Sequence, residues 1–161
     1  MTKPKQYYRA ETYEARRSIG YLIRRSRNLI THGLETLFNE NFSSRKITFA
    51  QWVVLMCLRD NLAKTPAELC QSMCYDSGAL TRLLDQMEER RLIRRRRSTK
   101  DRRVVRLSLT PEGKKTVQEI LKIVVKYYNG LLANFTAKEA GTFILLLTRL
   151  INNMSERRNE G

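Results

Sequence analysis

Hydrophobic residues recur at three- and four-residue steps along most of this chain, which is the pattern of amphipathic α-helices. The first such stretch, from about Arg9 to Asn39, predicts one long helix. Such a helix is about 45 Å long at 1.5 Å per residue, so a domain of 161 residues cannot cover its whole apolar stripe and part of it needs a partner. The stripe contains Ile19, Leu22, Ile23, Ser26, Ile30, Gly33, Leu34 and Leu37.

Later helices begin at capping boxes, in which a threonine is followed three residues later by Gln or Glu. The pairs are Thr48 with Gln51, Thr65 with Glu68, and Thr136 with Glu139. After a loop at 40–47, the pattern predicts helices at about 48–60, 66–73, 77–91, 110–129 and 136–155. The turn of Cys74, Tyr75 and Asp76 between two short helices is typical of a helix-turn-helix.

After Arg91 the period of the pattern becomes two. Val105, Leu107 and Leu109 alternate with their neighbours, as in a half-buried strand. Leu92 to Arg97 is the expected partner strand, with residues 98–102 as the connecting loop. A hairpin directly after a helix-turn-helix is typical of a winged helix, so the predicted fold is mostly α with a small β-hairpin wing.

Charge indicates a polyanionic partner. The chain has 31 basic and 16 acidic residues, a net charge of +15. From Arg90 to Arg103, nine of fourteen residues are basic and Asp101 is the only acid. Because like charges on a thin hairpin repel, we expect nucleic acid or an anionic membrane surface to supply the missing negative charge. The adjacent helix-turn-helix favours double-stranded DNA. A nucleoid-type structural protein that binds many sequences alike is the alternative.

Other classes of function are less consistent with the sequence. We find no membrane span and no apolar core of a secretory signal near the start. The odd number of cysteines (Cys57, Cys70 and Cys74) suits a reducing compartment, so we expect a cytoplasmic protein that is nucleoid-associated when bound to DNA. We find no nucleophile–base pair, phosphate loop or set of metal ligands, so we expect no enzyme and no cofactor or metal site.

The helix predicted at 77–91 has two different faces. Leu80, Leu83, Leu84 and Met87 form its inward stripe, which leaves Ser77, Gly78, Thr81, Arg82 and Asp85 outward. In a helix-turn-helix this outward face enters the major groove, where hydroxyl and guanidinium groups bind base edges or phosphates. In the structural alternative, Ser77 or Asp76 only caps the helix and Arg82 pairs with Asp85 or Asp76.

In the hairpin, Arg102 or Arg103 is expected to enter a minor groove, where narrow A·T tracts concentrate negative potential. Asp101 is expected to hold a neighbouring guanidinium in a bidentate pair. Some of the arginines at 94–97 would face phosphates, unless the run is simply a solvated face. The predicted DNA-binding residues are Thr65, Ser77, Gly78, Thr81, Arg82, Arg94, Arg96, Asp101, Arg102 and Arg103.

Several motifs together resemble one family. Asp101-x-Arg103-x5-Leu109-Thr110-x-x-Gly113 matches the D-x-R-x5-L-T-x-x-G element of the MarR (multiple antibiotic resistance regulator) family of bacterial transcription regulators. The segments at 48–55, 65–69, 78–85 and 91–95 resemble that family too, so the detailed match covers about residues 48–113. In one departure, Arg90-Arg91 stands where the family often has glycine at a helix end, which predicts a looser helix end.

The resemblance implies one unit over 1–161, with a DNA-binding lobe at 48–112 and interlocking dimerisation helices at 1–45 and 114–161. It implies a homodimer that represses a palindromic operator whose half-sites lie about 10 bp apart. The intersubunit core would contain six residues, which otherwise would pack only within their own chain. These residues are Phe143, Leu146, Leu147, Leu150, Ile151 and Met154.

Release from DNA would follow binding of a small, aromatic effector or oxidation of thiols. Residues that could line an effector pocket are Tyr13, Tyr21, His32, Trp52 and Met56. In the simpler interpretation, Trp52 and Met56 are core residues and His32 is a partly exposed polar residue. Cys70 and Cys74 are the candidate redox sensors, and buried reduced thiols are their alternative role.

Overall fold

The computed structural model describes residues 7–43, 47–73, 75–97, 99, 101 and 103–159, with the backbone only for 157–159. Within this part of the chain the main elements are α1 (Ile19–Phe42), α2 (Phe49–Arg59), α3 (Pro66–Met73), α4 (Ser77–Glu89), β1 (Ile93–Arg97), β2 (Val105–Leu109), α5 (Pro111–Leu131) and α6 (Ala137–Asn159). The predicted mostly α fold with one antiparallel hairpin is confirmed. None of the described helices is long and apolar enough to cross a membrane.

The predicted start of the first helix, at Arg9, is wrong, because α1 begins at Ile19. Ser18 has an extended backbone, and its hydroxyl accepts the Tyr21 N–H at 3.2 Å, which is the geometry of an N-cap. The Tyr8 hydroxyl accepts the Ile19 N–H at 2.9 Å. The Ser18 and Tyr8 hydroxyls thus accept backbone N–H groups of the first turn of α1, and the helix begins at Ile19. The preceding residues form two short 3-10 turns, Ala10–Thr12 and Ala15–Arg17.

The loop predicted at 40–47 is too long, since α1 continues to Phe42; residues 44–46 of that loop lie outside the described residues. The other predicted helix boundaries agree with the structure to within four residues. All three capping boxes form. In the one at α6, the Glu139 carboxylate accepts the Thr136 N–H at 2.8 Å, while the Thr136 hydroxyl accepts the Glu139 N–H at 3.2 Å.

Residues Met1–Val117 form one compact unit and Gln118–Gly161 a second. The core of the first unit is aromatic where α1 and α2 meet. The centroid of the Phe38 ring lies 5.1 Å from that of Phe42 and 6.2 Å from that of Trp52. Aliphatic side chains from the helix-turn-helix and the hairpin complete this core. They include Leu55, Leu69, Leu80, Leu84, Met87, Ile93 and Leu107, all buried.

The end of α4 is well formed although it lacks the glycine that is common there. Arg91 adopts φ 55°, the left-handed conformation that closes a Schellman motif. The Leu92 N–H donates to the Met87 carbonyl at 2.9 Å, and the Arg91 N–H donates to the Glu88 carbonyl at 2.8 Å. The looser helix end predicted for this departure is therefore not what the structure shows. A non-glycine residue in this conformation costs about 1 kcal/mol.

The Leu-Thr-x-x-Gly half of the family motif forms the junction between the hairpin and α5. The Thr110 N–H donates to the Leu92 carbonyl at 3.1 Å, and the Thr110 hydroxyl contacts the Arg91 carbonyl. The Gly113 N–H donates to the Thr110 hydroxyl at 3.0 Å. The Leu92 carbonyl lies so close to Gly113 that a Cβ there would overlap the oxygen. This half of the motif is therefore structural, because only glycine permits the approach.

The second unit contains the rest of α5 and all of α6. Ile120 and Val124 of α5 are buried, whereas α6 exposes most of its apolar side chains. Phe143, Leu146, Ile151 and Met154 are between 46% and 64% exposed. Leu147 and Leu150 are half-buried. The predicted stripe on the last helix is thus largely uncovered within one chain.

Candidate nucleic-acid interface

The exposed face of α4 carries four of the five residues that the sequence predicted for it. Ser77, Gly78, Thr81 and Arg82 are exposed, while Leu80, Leu84 and Met87 of the opposite stripe are buried and Leu83 is half-buried. The Thr81 hydroxyl donates to the Ser77 carbonyl at 2.8 Å, which leaves its oxygen able to accept. This face could therefore present two hydroxyl groups and one guanidinium to a groove.

Asp76 caps the N-terminus of α4. Its Oδ1 accepts the Gly78 N–H at 2.9 Å and the Ala79 N–H at 3.0 Å. Asp76, rather than Ser77, is thus the cap of this helix. The Gly78 N–H is already occupied in this conformation, so a phosphate would have to displace the Asp76 carboxylate to reach it.

Arg82 forms no ion pair among the described residues, although two carboxylates lay within sequence reach. Asp76 is engaged with backbone N–H groups. Asp85 is half-buried, not outward as predicted, and binds the Arg95 guanidinium at 2.6 Å. Because both alternative partners have other bonds, the exposed Arg82 keeps its full charge for an external anion.

An ion-pair cluster joins α4 to β1. Nη1 of Arg95 lies 2.6 Å from Oδ1 of Asp85 and 3.4 Å from Oε2 of Glu88. Oε1 of Glu88 also accepts the backbone N–H of Arg95 at 3.0 Å. Arg95 is thus the arginine of the strand that the protein neutralises itself. Sequence reasoning missed this cluster, because these acids belong to another element and only the fold brings them to the strand.

The register of the hairpin separates its arginines into two faces. Arg94 pairs with Ser108 and Arg96 with Arg106 across the strands. Arg94, Arg96 and Arg106 are exposed, and Nε of Arg94 donates to the Ser108 hydroxyl at 3.0 Å. The predicted residues Arg94 and Arg96 therefore share one outer face, and Arg106 joins them. The alternation of Arg106 with buried Leu107 was the signal that could have identified it.

At the tip of the hairpin, the Asp101 carboxylate accepts the backbone N–H of Arg103 at 2.9 Å. The Asp101 carbonyl also accepts the Val104 N–H at 3.0 Å. Asp101 therefore organises the turn through the backbone, a role that the sequence did not predict. Arg103 is exposed, and Arg102 lies outside the described residues.

Thr65 lies at the N-terminus of α3 and beside the hairpin. Its hydroxyl accepts the Glu68 N–H at 3.2 Å, and the Lys64 carbonyl accepts the Leu107 N–H of β2 at 2.8 Å. The pKa of Glu68 is held below its usual range, chiefly by the bond from the Lys64 N–H and also by the charge of Arg106. Although it lies near the hairpin, the Glu68 carboxylate is thus already hydrogen-bonded to backbone N–H groups at the N-terminus of α3.

The five candidate effector residues differ in burial and in the contacts that they make. Trp52 is buried against Phe38, and Met56 on the same helix is half-buried. Tyr13 contacts Tyr8 edge-on, with ring centroids 5.6 Å apart. The two other candidates lie on α1, where Tyr21 accepts a bond from Arg25 at 3.1 Å and His32 is exposed.

Of the cysteines, Cys57 is buried and Cys70 is half-buried, while Cys74 lies outside the described residues. Sγ of Cys57 lies 3.8 Å from the Ser72 hydroxyl, so this thiol links α2 to α3. The Cys70 and Cys74 pair remains a prediction.

Comparison with known proteins agrees with this geometry. The family model described as "MarR family" matches residues 47–105. The multiple antibiotic resistance protein MarR of Escherichia coli (strain K12) is 31% identical over 125 residues, which are 77% of this chain and 87% of that protein.

Solved structures are similar over most of the chain. A cysteine-to-serine mutant of E. coli MarR in complex with operator DNA has a TM-score of 0.63 at 31% identity, covering 80% of this chain and 93% of that one. Bordetella bronchiseptica BpsR, solved in a study of how 6-hydroxynicotinic acid regulates its DNA binding, has a TM-score of 0.66 at 24% identity, covering 86% and 96%. The chain has a helix-turn-helix followed by a basic hairpin, and it is 31% identical to a MarR protein that it covers to 87%; it therefore belongs to the MarR family of transcription regulators.

Proposed function

We propose that this DNA-binding regulator represses transcription from a palindromic operator and is released by a small effector. The observation that carries the proposal is the unneutralised Arg82 on the exposed face of α4, next to a hairpin with an excess of arginine. A guanidinium presented this way binds guanine bidentately in a major groove. The hydroxyls of Ser77 and Thr81 would bind base edges or phosphates beside it.

The hairpin would bind DNA beside the stretch that α4 contacts. Arg103, with Arg102, would enter a flanking minor groove, while Arg94 and Arg96 would bind phosphates. Thr65, at the α3 N-terminus, and Gly78 would contact the backbone if the carboxylates capping these helices moved aside. The exposure of Arg94, Arg96 and Arg103 and their positive charge support their part in this arrangement.

The regulator would act as a homodimer. On α1, Ile19, Leu22, Ile23 and Leu29 are between 42% and 62% exposed, and α6 carries the uncovered stripe described above. Leaving so many large apolar side chains in water is costly, and a second copy would cover them. Sedimentation at micromolar concentration is expected to give a dimer. A monomer that still binds operator with full affinity would contradict this assignment.

A small aromatic effector is favoured by BpsR, whose DNA binding 6-hydroxynicotinic acid regulates. In this chain Tyr13, Tyr21, His32, Trp52 and Met56 are the candidates to contact it. The alternative is oxidation at Cys70 and Cys74. Peroxide should release DNA in that case, and replacing both cysteines with serine should abolish the response. Effector binding or thiol oxidation must each favour a conformation in which the α4 helices of the two subunits no longer match the spacing of successive major grooves.

The test of the proposed function is a competition between selected and random DNA. Duplexes selected by the protein from a random pool would compete with unselected duplexes of equal length at physiological salt. A regulator should prefer the selected duplex by at least about 1,000-fold. Equal binding of both would indicate a nucleoid-type protein instead. Repression itself would be measured with a reporter under the selected operator, where increased transcription would contradict it.

Replacing Asp85 with Asn should weaken operator binding, although the change removes negative charge near DNA. The physical reason is that Asp85 holds Arg95 and thereby the hairpin at a fixed angle to α4. We expect operator affinity to fall several-fold while affinity for random DNA stays equal or rises. Glu89→Gln, an exposed residue of the same helix, is the matched control. If operator affinity rises with Asp85→Asn, the ion pair does not position the hairpin.

Asp101→Ala is also expected to weaken operator binding, and Asp101→Asn to restore most of it. The asparagine oxygen can still accept the Arg103 N–H and keep the turn at the hairpin tip, whereas alanine cannot. Fluorescence anisotropy with the selected operator would measure both variants. If both variants bind equally weakly, the negative charge is what matters, and Asp101 would instead act by pairing its carboxylate with a neighbouring guanidinium. Tighter binding by Asp101→Ala would contradict either role.

A further inference from the structure

A buried amide joins the C-terminal end of α4 to the first turn of α2. Gln51 is 2% exposed, and its Oε1 accepts two hydrogen bonds. The Thr48 N–H donates to it at 3.4 Å, which completes the capping box of α2, and Nη1 of Arg90 donates to it at 3.1 Å. Arg90 is the residue that follows α4, so its position depends on that helix. The second bond therefore connects the ends of two helices through residues 39 positions apart.

Burial distinguishes Gln51 from the residues that play the same part in the other capping boxes. Glu68 and Glu139, which close the boxes of α3 and α6, are both exposed, so a capping box by itself does not require burial. An amide can be buried without a large cost only when it is hydrogen-bonded. The Gln51 oxygen has two lone pairs, and the cap and the Arg90 guanidinium use one each.

The turn that contains Gln51 is itself packed against α1. The neighbours of Gln51 in this turn are Phe49 and Trp52, whose ring centroids lie 6.0 Å and 6.2 Å from that of Phe38 on α1. Through the bond from Arg90, Gln51 thus fixes the end of α4 against the packed junction of α1 and α2.

This bond lies at the end of α4 opposite to the end that would enter the groove. The helix has 13 residues and is about 20 Å long. A tilt of about 3° about its C-terminal end would move its N-terminal end by about 1 Å. The donor–acceptor distance of a hydrogen bond varies within only about 0.5 Å, so a tilt of this size would break direct bonds to bases.

We propose that Gln51 is a positioning residue for operator recognition, which acts through Arg90 to fix the angle of α4 against α1 and α2. This inference rests on the proposed function, because it takes α4 as the helix that reads the operator. Binding of random DNA depends on charge more than on the angle of a helix. Loss of the bond should therefore reduce the preference for operator, although Gln51 is buried and does not itself contact DNA.

The test measures, in full-length variants, the ratio of the affinities for selected operator and for random DNA. Gln51→Leu removes the acceptor of the Arg90 bond, and the ratio should fall about two- to tenfold for each half-site, the range of one hydrogen bond. Gln51→Glu keeps an acceptor for both donors and should restore the wild-type ratio. Thr48→Ala is the matched control, because it removes the hydroxyl that caps α2 and lowers Tm but keeps the Gln51 side chain. Its ratio should equal that of wild type.

A double-mutant cycle tests whether Gln51 and Arg90 act together. Arg90→Met also removes a positive charge, but this loss weakens binding to both duplexes and so largely cancels in the ratio. Alone, Arg90→Met should lower the ratio as Gln51→Leu does, and in combination with Gln51→Leu it should lower the ratio no further. Since Arg90→Met leaves the capping box intact, it tests the inference even if Gln51→Leu does not fold.

Additive effects of the two changes would overturn the inference, because each residue would then act alone. An equal fall of the ratio in Thr48→Ala would assign the effect to the capping box rather than to Arg90. Unchanged ratios in Gln51→Leu and Arg90→Met would make the bond a contribution to stability only. Failure of the proposed function differs from all of these results, because wild type itself would then not prefer the selected operator over random DNA.

Discussion

Gly113→Ala is expected to destabilise the first unit by at least about 3 kcal/mol, since a methyl group at this position would overlap the Leu92 carbonyl oxygen. That carbonyl is backbone and also accepts the Thr110 N–H, so it cannot move aside without breaking the junction between the hairpin and α5. For a chain of this size, the destabilisation corresponds to a Tm lower by about 6–12 °C. Thermal unfolding followed by circular dichroism would measure it.

Gly141→Ala is the matched control, because a Cβ at this exposed position of α6 would meet nothing within 4 Å. Alanine there should be neutral or stabilise the protein by up to about 1 kcal/mol. If both variants unfold at the wild-type temperature, the close approach of Leu92 to Gly113 is not a constraint on the fold.

Arg82→Ala should cause the second large effect, weakening operator binding by about 1–3 kcal/mol for each half-site. Because 1.4 kcal/mol is a factor of ten, affinity would fall about fivefold to more than a hundredfold per half-site. Stability should be unchanged, since Arg82 is exposed and forms no ion pair among the described residues. Titrations of the selected operator and of random DNA would measure the change in specificity.

Arg82→Lys separates base recognition from phosphate binding. Lysine keeps the charge but lacks the planar fork that binds guanine through two hydrogen bonds. If Arg82 reads a base, lysine should recover binding to random DNA without recovering the preference for operator. Recovery of both would assign Arg82 to a phosphate, and wild-type operator affinity in Arg82→Ala would remove it from the interface.

Much of the fold could be predicted because its signals are local. Thr48, Thr65 and Thr136 each begin a helix, and the capping bonds involve residues only three positions away. The alternation of Val105, Leu107 and Leu109 likewise predicts a strand. The error at Arg9 has the same local origin. Ser18 looked like one more residue of a long helical stretch, but its hydroxyl caps the helix instead.

The candidate site was predictable in part. The face of α4 with Thr81 and Arg82 follows from helical spacing. Helical spacing does not show whether each arginine has an acidic partner, because an arginine in a basic run can be neutralised by an acid far along the chain. Asp85 was expected on the outer face beside Arg82, yet it pairs with Arg95, ten residues later. Sequence alone left Arg82 with two possible internal partners, and the fold gives both of those carboxylates other bonds.

By itself, the sequence determined the order of the helices, the hairpin after α4, the excess of positive charge and, through its motifs, the family. These properties depend on residues a few positions apart, so interactions between sequence neighbours are sufficient to predict them. Only the tertiary structure decided which arginines are neutralised, what Asp101 binds and why Gly113 must be glycine. Ion pairs, strand register and close backbone approaches join residues that are distant in sequence, and their partners are known only once the chain is folded.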